Sequence, residues 1–117
     1  MDTIFIRDLR LTTRVGVHAW ERDVLQTLRL DVELGLASGE AFRSDDLADA
    51  IDYAAVVRRI ARFADEQHFQ LLERFAEGVA DAVLASFPAA WVKVRVAKLA
   101  VIAGVSEVGV AIERHRS

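Results

Sequence analysis

Glu73 and Lys98 occupy positions from which a carboxylate and an amine can do chemistry. Glu73 falls in Phe69-Gln70-Leu71-Leu72-Glu73-Arg74, beside a stripe of Leu72, Phe75, Ala76, Val79 and Val83. That spacing predicts a helix beginning near Leu71 with one apolar face turned inward. A negative charge in its first turn is favoured by the positive end of the helix dipole. Fixed there, a carboxylate can accept two parallel hydrogen bonds from a flat N–H pair. This is how a protein would grip the amino-pyrimidinone edge of a pterin or guanine. The same spacing fits an acid that only complements the dipole, since helix starts are enriched in acids.

Lys98 follows Val92, Val94 and Val96 by twos, which puts it at the last inward position of a strand. Such a lysine either snorkels over the sheet edge or is held in a pocket. Burial disfavours an ammonium and makes the amine usable as a base near neutral pH. Glu21, after Trp20, is either a solvated loop acid or a group that orients a substrate hydroxyl or relays a proton. Tyr53 opens a helix on its apolar stripe, as a core aromatic or as a phenol whose hydroxyl wants a partner. His18, His68 and His115 are far apart, so no metal-ligand cluster is visible. The glycines form no phosphate loop, and nothing supports a Ser/His/Asp triad.

The elements that must position these residues can be read in order. Residues 3–15 alternate as a strand whose phase changes near Arg7, the mark of a bulge. Gly16-Val17-His18-Ala19-Trp20-Glu21 reads as a turn leading to a short helix or loop. Residues 26–36 form the cleanest strand, with Leu28, Leu30, Val32, Leu34 and Leu36 on one face. Residues 37–52 read as a polar connection. Asp52 is a suitable N-cap for a helix to about Glu66, with Tyr53, Val56, Val57, Ile60 and Phe63 as its stripe. The second helix runs to about Phe87, where Pro88 stops it. Residues 91–98 and 105–114 alternate as strands. Two strands, two helices and two strands predict an α+β domain over residues 1–117. Its four-stranded antiparallel sheet carries both helices on one face.

Composition narrows the function. The chain has 117 residues and a formal charge of −3, with a pI near 5.6. That argues against a nucleic-acid surface. The absence of cysteine excludes disulfides, thiolate metal sites and cysteine nucleophiles. No signal peptide or membrane span is expected, and the cytoplasm is the expected location. At 53% hydrophobic residues and a mean hydropathy of +0.22, so small a chain has apolar surface left over. Two open sheet edges add to it, and pairing with copies of the same chain would cover both. A homo-oligomer closed into a ring is therefore expected.

Several segments together resemble the bacterial dihydroneopterin aldolase family. They are Gly16-Val17-His18-Ala19-Trp20-Glu21, Gln26, Ser44-Asp45-Asp46, Asp52-Tyr53, Phe69 to Arg74, Lys98, and Val108 to Arg114. Each is weak alone, but their joint order and spacing are specific and span nearly the whole chain. The resemblance implies the tunnelling fold, with sheets joined between subunits into a ring. The assembly would be a homotetramer or a homo-octamer of two stacked rings, with sites between neighbours. It implies that Glu73, helped by the backbone near Leu72, anchors the pterin substrate. Lys98 would be the general base, with Glu21 close by. Tyr53 of the adjacent subunit would lie against the ligand and transfer a proton, and Val17 and His18 would line the pocket. It also implies no cofactor, because the conjugated C=N of the dihydropterin takes the electrons that other aldolases pass to a Schiff base or a metal. Two points stand against a simple match. A carboxylate such as Glu21 near Lys98 favours the ammonium and opposes use of the amine as a base. The run Lys98-Leu99-Ala100 replaces the Lys-Pro-Gly common in the family. A leucine there also occurs in the sister dihydroneopterin triphosphate 2′-epimerase. That enzyme, and a pterin- or purine-binding protein without catalysis, are the alternative readings.

Overall fold

The computed structural model of the chain describes residues 1–18, 21 and 24–117. Strand β1 (Thr3–Thr13) pairs antiparallel with β2 (Gln26–Leu36). After β2 come a short helix α1 (Ala41–Ser44), a 3-10 turn (Leu47–Asp49), and helices α2 (Tyr53–Glu66) and α3 (Leu72–Ser86). Strands β3 (Ala89–Ile102) and β4 (Val105–His115) complete the sheet in the order β1-β2-β3-β4, every pair antiparallel.

The β1–β2 register shifts between Ile6 and Leu9, where Asp8 takes φ 58°. An aspartate tolerates this left-handed conformation better than most side chains. The extra residue lets Ile4 and Ile6 on one side of the bulge, and Leu9 and Leu11 on the other, all pack against the core. The Asp8 amide donates to Asp31 Oδ1 at 2.8 Å, and its carboxylate meets Arg10 and Arg29. The bulge is thus anchored on the face away from the helices, where Arg29 and Arg95 also share Glu107.

Both helices pack on the other face. Leu28, Leu30, Leu34, Val92, Val94 and Val96 from the central strands are buried beneath Val56, Ile60, Phe75, Val79 and Val83. Asp52 caps α2 by accepting from the amides of Ala54 and Ala55 at 3.0 and 3.2 Å. A β-carbon on Gly78 of α3 would sit 2.2 Å from the Phe63 ring, so this glycine sets how closely the helices approach. Phe63, Phe69 and Phe75 pack there in tilted and edge-on pairs with centroids 5.4 to 5.9 Å apart. The Arg116 guanidinium closes the far end of α3 by donating to the carbonyls of Leu84, Phe87 and Ala89.

Four expectations are corrected. Strand β1 stops at Thr13, because Val15 instead bridges Phe69 in parallel. Strand β3 is longer than 91–98, because β4 pairs along nearly its whole length. The connection 37–52 holds two short helical turns, the second capped by Asp46. Tyr53 is 67% exposed, not core, because it lies in the first turn of α2 before the helix comes under cover of its neighbours.

Candidate active site

Lys98 pairs across the sheet with Leu28, itself fully buried. The alternation that buries Val92, Val94 and Val96 carries the lysine inward at the end of the sheet. The lysine neither snorkels free nor lies unpaired. Its Nζ meets Glu21 Oε2 at 2.6 Å, and the two side chains are 14% and 6% exposed. A charge pair so shielded from water interacts far more strongly than a surface one.

Glu21 is therefore not the solvated loop acid that its sequence neighbours suggest. Oε1 accepts from the His18 amide at 3.4 Å, and Oε2 accepts from Gln26 Nε2 at 3.4 Å. The Lys98 hydrogen bond is the largest influence holding the carboxyl below its usual pKa, with Gln26 and the His18 amide helping and burial opposing. Space for it comes from Gly16, where a β-carbon would fall 2.4 Å from the Glu21 side chain. Ala19 and Trp20 lie outside the described residues, as does much of the turn or short helix expected there.

Lys98 and Glu21 line a cleft of about 490 Å³. Val17, His18, Leu72 and Glu73 line it too, as do Val101 and Ile102. Glu73 is exposed, in the first turn of α3 behind an N-cap, Leu71, whose side chain makes no capping bond. The apolar rim has a backbone cause. The β3–β4 register shifts between Leu99 and Ile102, and Ala100 takes φ 52°. Among the described residues lining the cleft, Lys98 is the one lysine or arginine. Elsewhere among the described residues, no three His, Asp or Glu side chains converge as a metal site requires.

Six of the seven expected site residues thus share one cleft, and Tyr53 does not. It lines a separate, mostly apolar cavity of about 410 Å³ with Phe42, Ile51 and Pro88, and the two cavities share no residue. Gln26 is one of the residues that carry the family resemblance, and the sequence alone gives it no role. Its only signal was its position at the start of the cleanest strand.

The family model described as FolB, dihydroneopterin aldolase, matches residues 4–113. The chain belongs to the dihydroneopterin aldolase family. Dihydroneopterin aldolase of Escherichia coli strain K12 is 38% identical over 114 residues, covering 97% of this chain and 93% of that one. A crystal structure of the E. coli aldolase in complex with neopterin superposes with a TM-score of 0.93, covering 97% of this chain and 99% of that chain. Dihydroneopterin triphosphate 2′-epimerase of Pseudomonas aeruginosa is more distant, 26% identical over 99% of this chain and 94% of its own length. The resemblance carried by the motifs is therefore correct. The fold is the family's tunnelling fold, a four-stranded antiparallel sheet with its helices on one face.

Proposed function

We propose that the cleft cleaves the C1′–C2′ bond of 7,8-dihydroneopterin, giving 6-hydroxymethyl-7,8-dihydropterin and glycolaldehyde on the way to tetrahydrofolate. One observation carries the reading. A shielded lysine–carboxylate pair and a helix-start glutamate line a single cleft of about 490 Å³. Glu73 accepts the 2-amino and ring N–H hydrogens of the pterin, beside the Leu72 backbone, while Val17 and His18 line the pocket. This fixes the side chain of the substrate toward Lys98. Removing the proton of the 2′-hydroxyl lets that oxygen form the aldehyde carbonyl. The C1′–C2′ electrons pass into the ring C=N, leaving an enamine that is reprotonated at C1′. Lys98 moves the hydroxyl proton. Its resting contact is an ion pair with Glu21, so the amine takes the hydroxyl proton through a bridging water as it gives one of its own to the Glu21 carboxylate. Glu21 keeps the ammonium in place. Rotation of the bound aldehyde, so that C1′ adds to its opposite face before release, gives the 2′-epimer, dihydromonapterin.

The proton for C1′ comes from Tyr53 of an adjacent copy, in a homotetramer or homo-octamer with sites between subunits. Support comes from Tyr53 being exposed and apart from its own chain's cleft, and from the outer edges of β1 and β4, which pair with no further strand among the described residues. The triphosphate epimerase reading fits less well. Among the described residues, the cleft lining offers one lysine, already paired, to a highly anionic substrate.

Purified protein incubated with 7,8-dihydroneopterin should release glycolaldehyde. Lys98→Ala should lower turnover by roughly a hundred- to ten-thousandfold, the usual share of a positioned proton-transfer group. Isomerisation of the triphosphate without any glycolaldehyde would assign the epimerase. Neopterin binding without turnover would assign a binding protein. Full activity of Lys98→Ala would remove the lysine's role.

A further inference from the structure

Gln26 opens β2, and its side-chain nitrogen has one acceptor for each of its two hydrogens. Val15 O lies at 3.0 Å and Glu21 Oε2 at 3.4 Å. Both partners are acceptors, which fixes the orientation of the amide. The same Oε2 takes the Lys98 ammonium, and Oε1 takes the His18 amide. Both oxygens of Glu21 therefore face donors of the protein itself, so this carboxylate acts on the reaction through Lys98.

The Val15 carbonyl is itself held in place. Val15 bridges Phe69 in parallel, and the Gly16 amide donates to Phe69 O at 3.0 Å. Phe69 begins the segment that ends in Glu73. One side-chain amide thus joins the Lys98–Glu21 pair to the backbone leading to the proposed pterin anchor.

The geometry points to Gln26 as a positioning residue that holds Glu21, and through it Lys98, in register with the segment carrying Glu73. This rests on the aldolase reading, because it is the lysine's proton transfer that Gln26 serves. The requirement is chemical. A glutamate at position 26 would turn a second carboxylate toward Glu21 and an acceptor toward the Val15 carbonyl. A methionine would fill similar volume and donate nothing.

The test compares Gln26→Met, Gln26→Glu and Gln26→Asn with wild type, each as the intact assembly. Gln26→Met and Gln26→Glu should bind neopterin within about twofold of wild type, yet lose roughly ten- to a hundredfold in kcat, the scale of a misplaced catalytic group. Gln26→Asn, which keeps an amide, should recover part of that loss. The acid limb of kcat against pH should move to higher pH in Gln26→Met, because one donor to the ionised carboxylate is gone. It should move further in Gln26→Glu, where two carboxylates oppose each other's ionisation. Carbon NMR of the Glu21 carboxyl should show the same upward movement without any turnover. If wild type released no glycolaldehyde, the aldolase reading would fall, and the NMR titration would still decide whether Gln26 holds Glu21. An unmoved Glu21 titration and an unmoved acid limb in folded Gln26→Met would overturn the proposal. So would a loss of neopterin binding in step with kcat.

Discussion

Lys98, the Gln26 amide and the His18 N–H hold the Glu21 carboxyl below its ordinary pKa, against the opposing effect of burial. A carboxyl whose folded pKa is depressed contributes stability above its unfolded value and loses it as pH falls through the folded value. With an ordinary glutamate value of 4.5, the contribution is complete at neutral pH. Glu21→Gln should therefore unfold at lower urea than wild type at pH 7, and the gap should narrow only below about pH 4.5. A gap that narrowed between pH 8 and 6 would assign it to another group. At Glu73, replacing the carboxylate by an amide removes one acceptor of the pair proposed to meet the pterin. Glu73→Gln should weaken neopterin binding roughly ten- to a hundredfold, as charged hydrogen bonds worth about 1.5–3 kcal/mol imply, read by fluorescence titration. Lys98 could be placed inward from the sequence because strand alternation has a fixed period. The burial of Glu21 could not, because its partner lies 77 residues away in the chain.

Among the elements, β2 and α2 follow the limits that the sequence predicts, 26–36 and Asp52 to Glu66. A period-2 stripe and an N-cap are local signals. Where pairing with another strand decides the end, the sequence misleads, as at Thr13 and Ile102. The β3–β4 bulge after Lys98 falls where the family commonly has Lys-Pro-Gly. Ala100 takes φ 52°, the left-handed conformation in which glycine costs least. A glycine at that position in relatives would suit this backbone, and the alanine here bears about 1 kcal/mol of strain. Ala100→Gly should therefore raise the unfolding free energy by up to about 1 kcal/mol in urea melts. Ala100→Pro, whose ring requires φ near −65°, should disrupt the bulge and the Val101–Ile102 rim.

The whole molecule is elongated, 50 × 29 × 25 Å, with Phe5, Phe42, Leu47 and Tyr53 all more than 60% exposed. The surplus of apolar surface was legible in composition. The separation of Tyr53 from the cleft was not, because helical spacing does not say where a neighbouring element stops. The proposed assembly makes a prediction that single chains cannot meet. Lys98→Ala and Tyr53→Phe proteins, each poorly active, should regain turnover when unfolded together and reassembled, because some sites then take an intact residue from each chain. Recovery no greater than the sum of the separate preparations would place both residues in the same chain's site.

Gly16 touches no ligand in this account and carries no side chain, yet the Glu21 carboxylate fills the volume where its β-carbon would stand. A methyl group there would evict the acid from its nest and leave the ammonium without a counter-charge. In a random mutagenesis screen, Gly16→Ala should therefore score beside the loss of Lys98 in turnover while neopterin affinity persists. Position 16 would look like part of the chemistry although it supplies only vacant room.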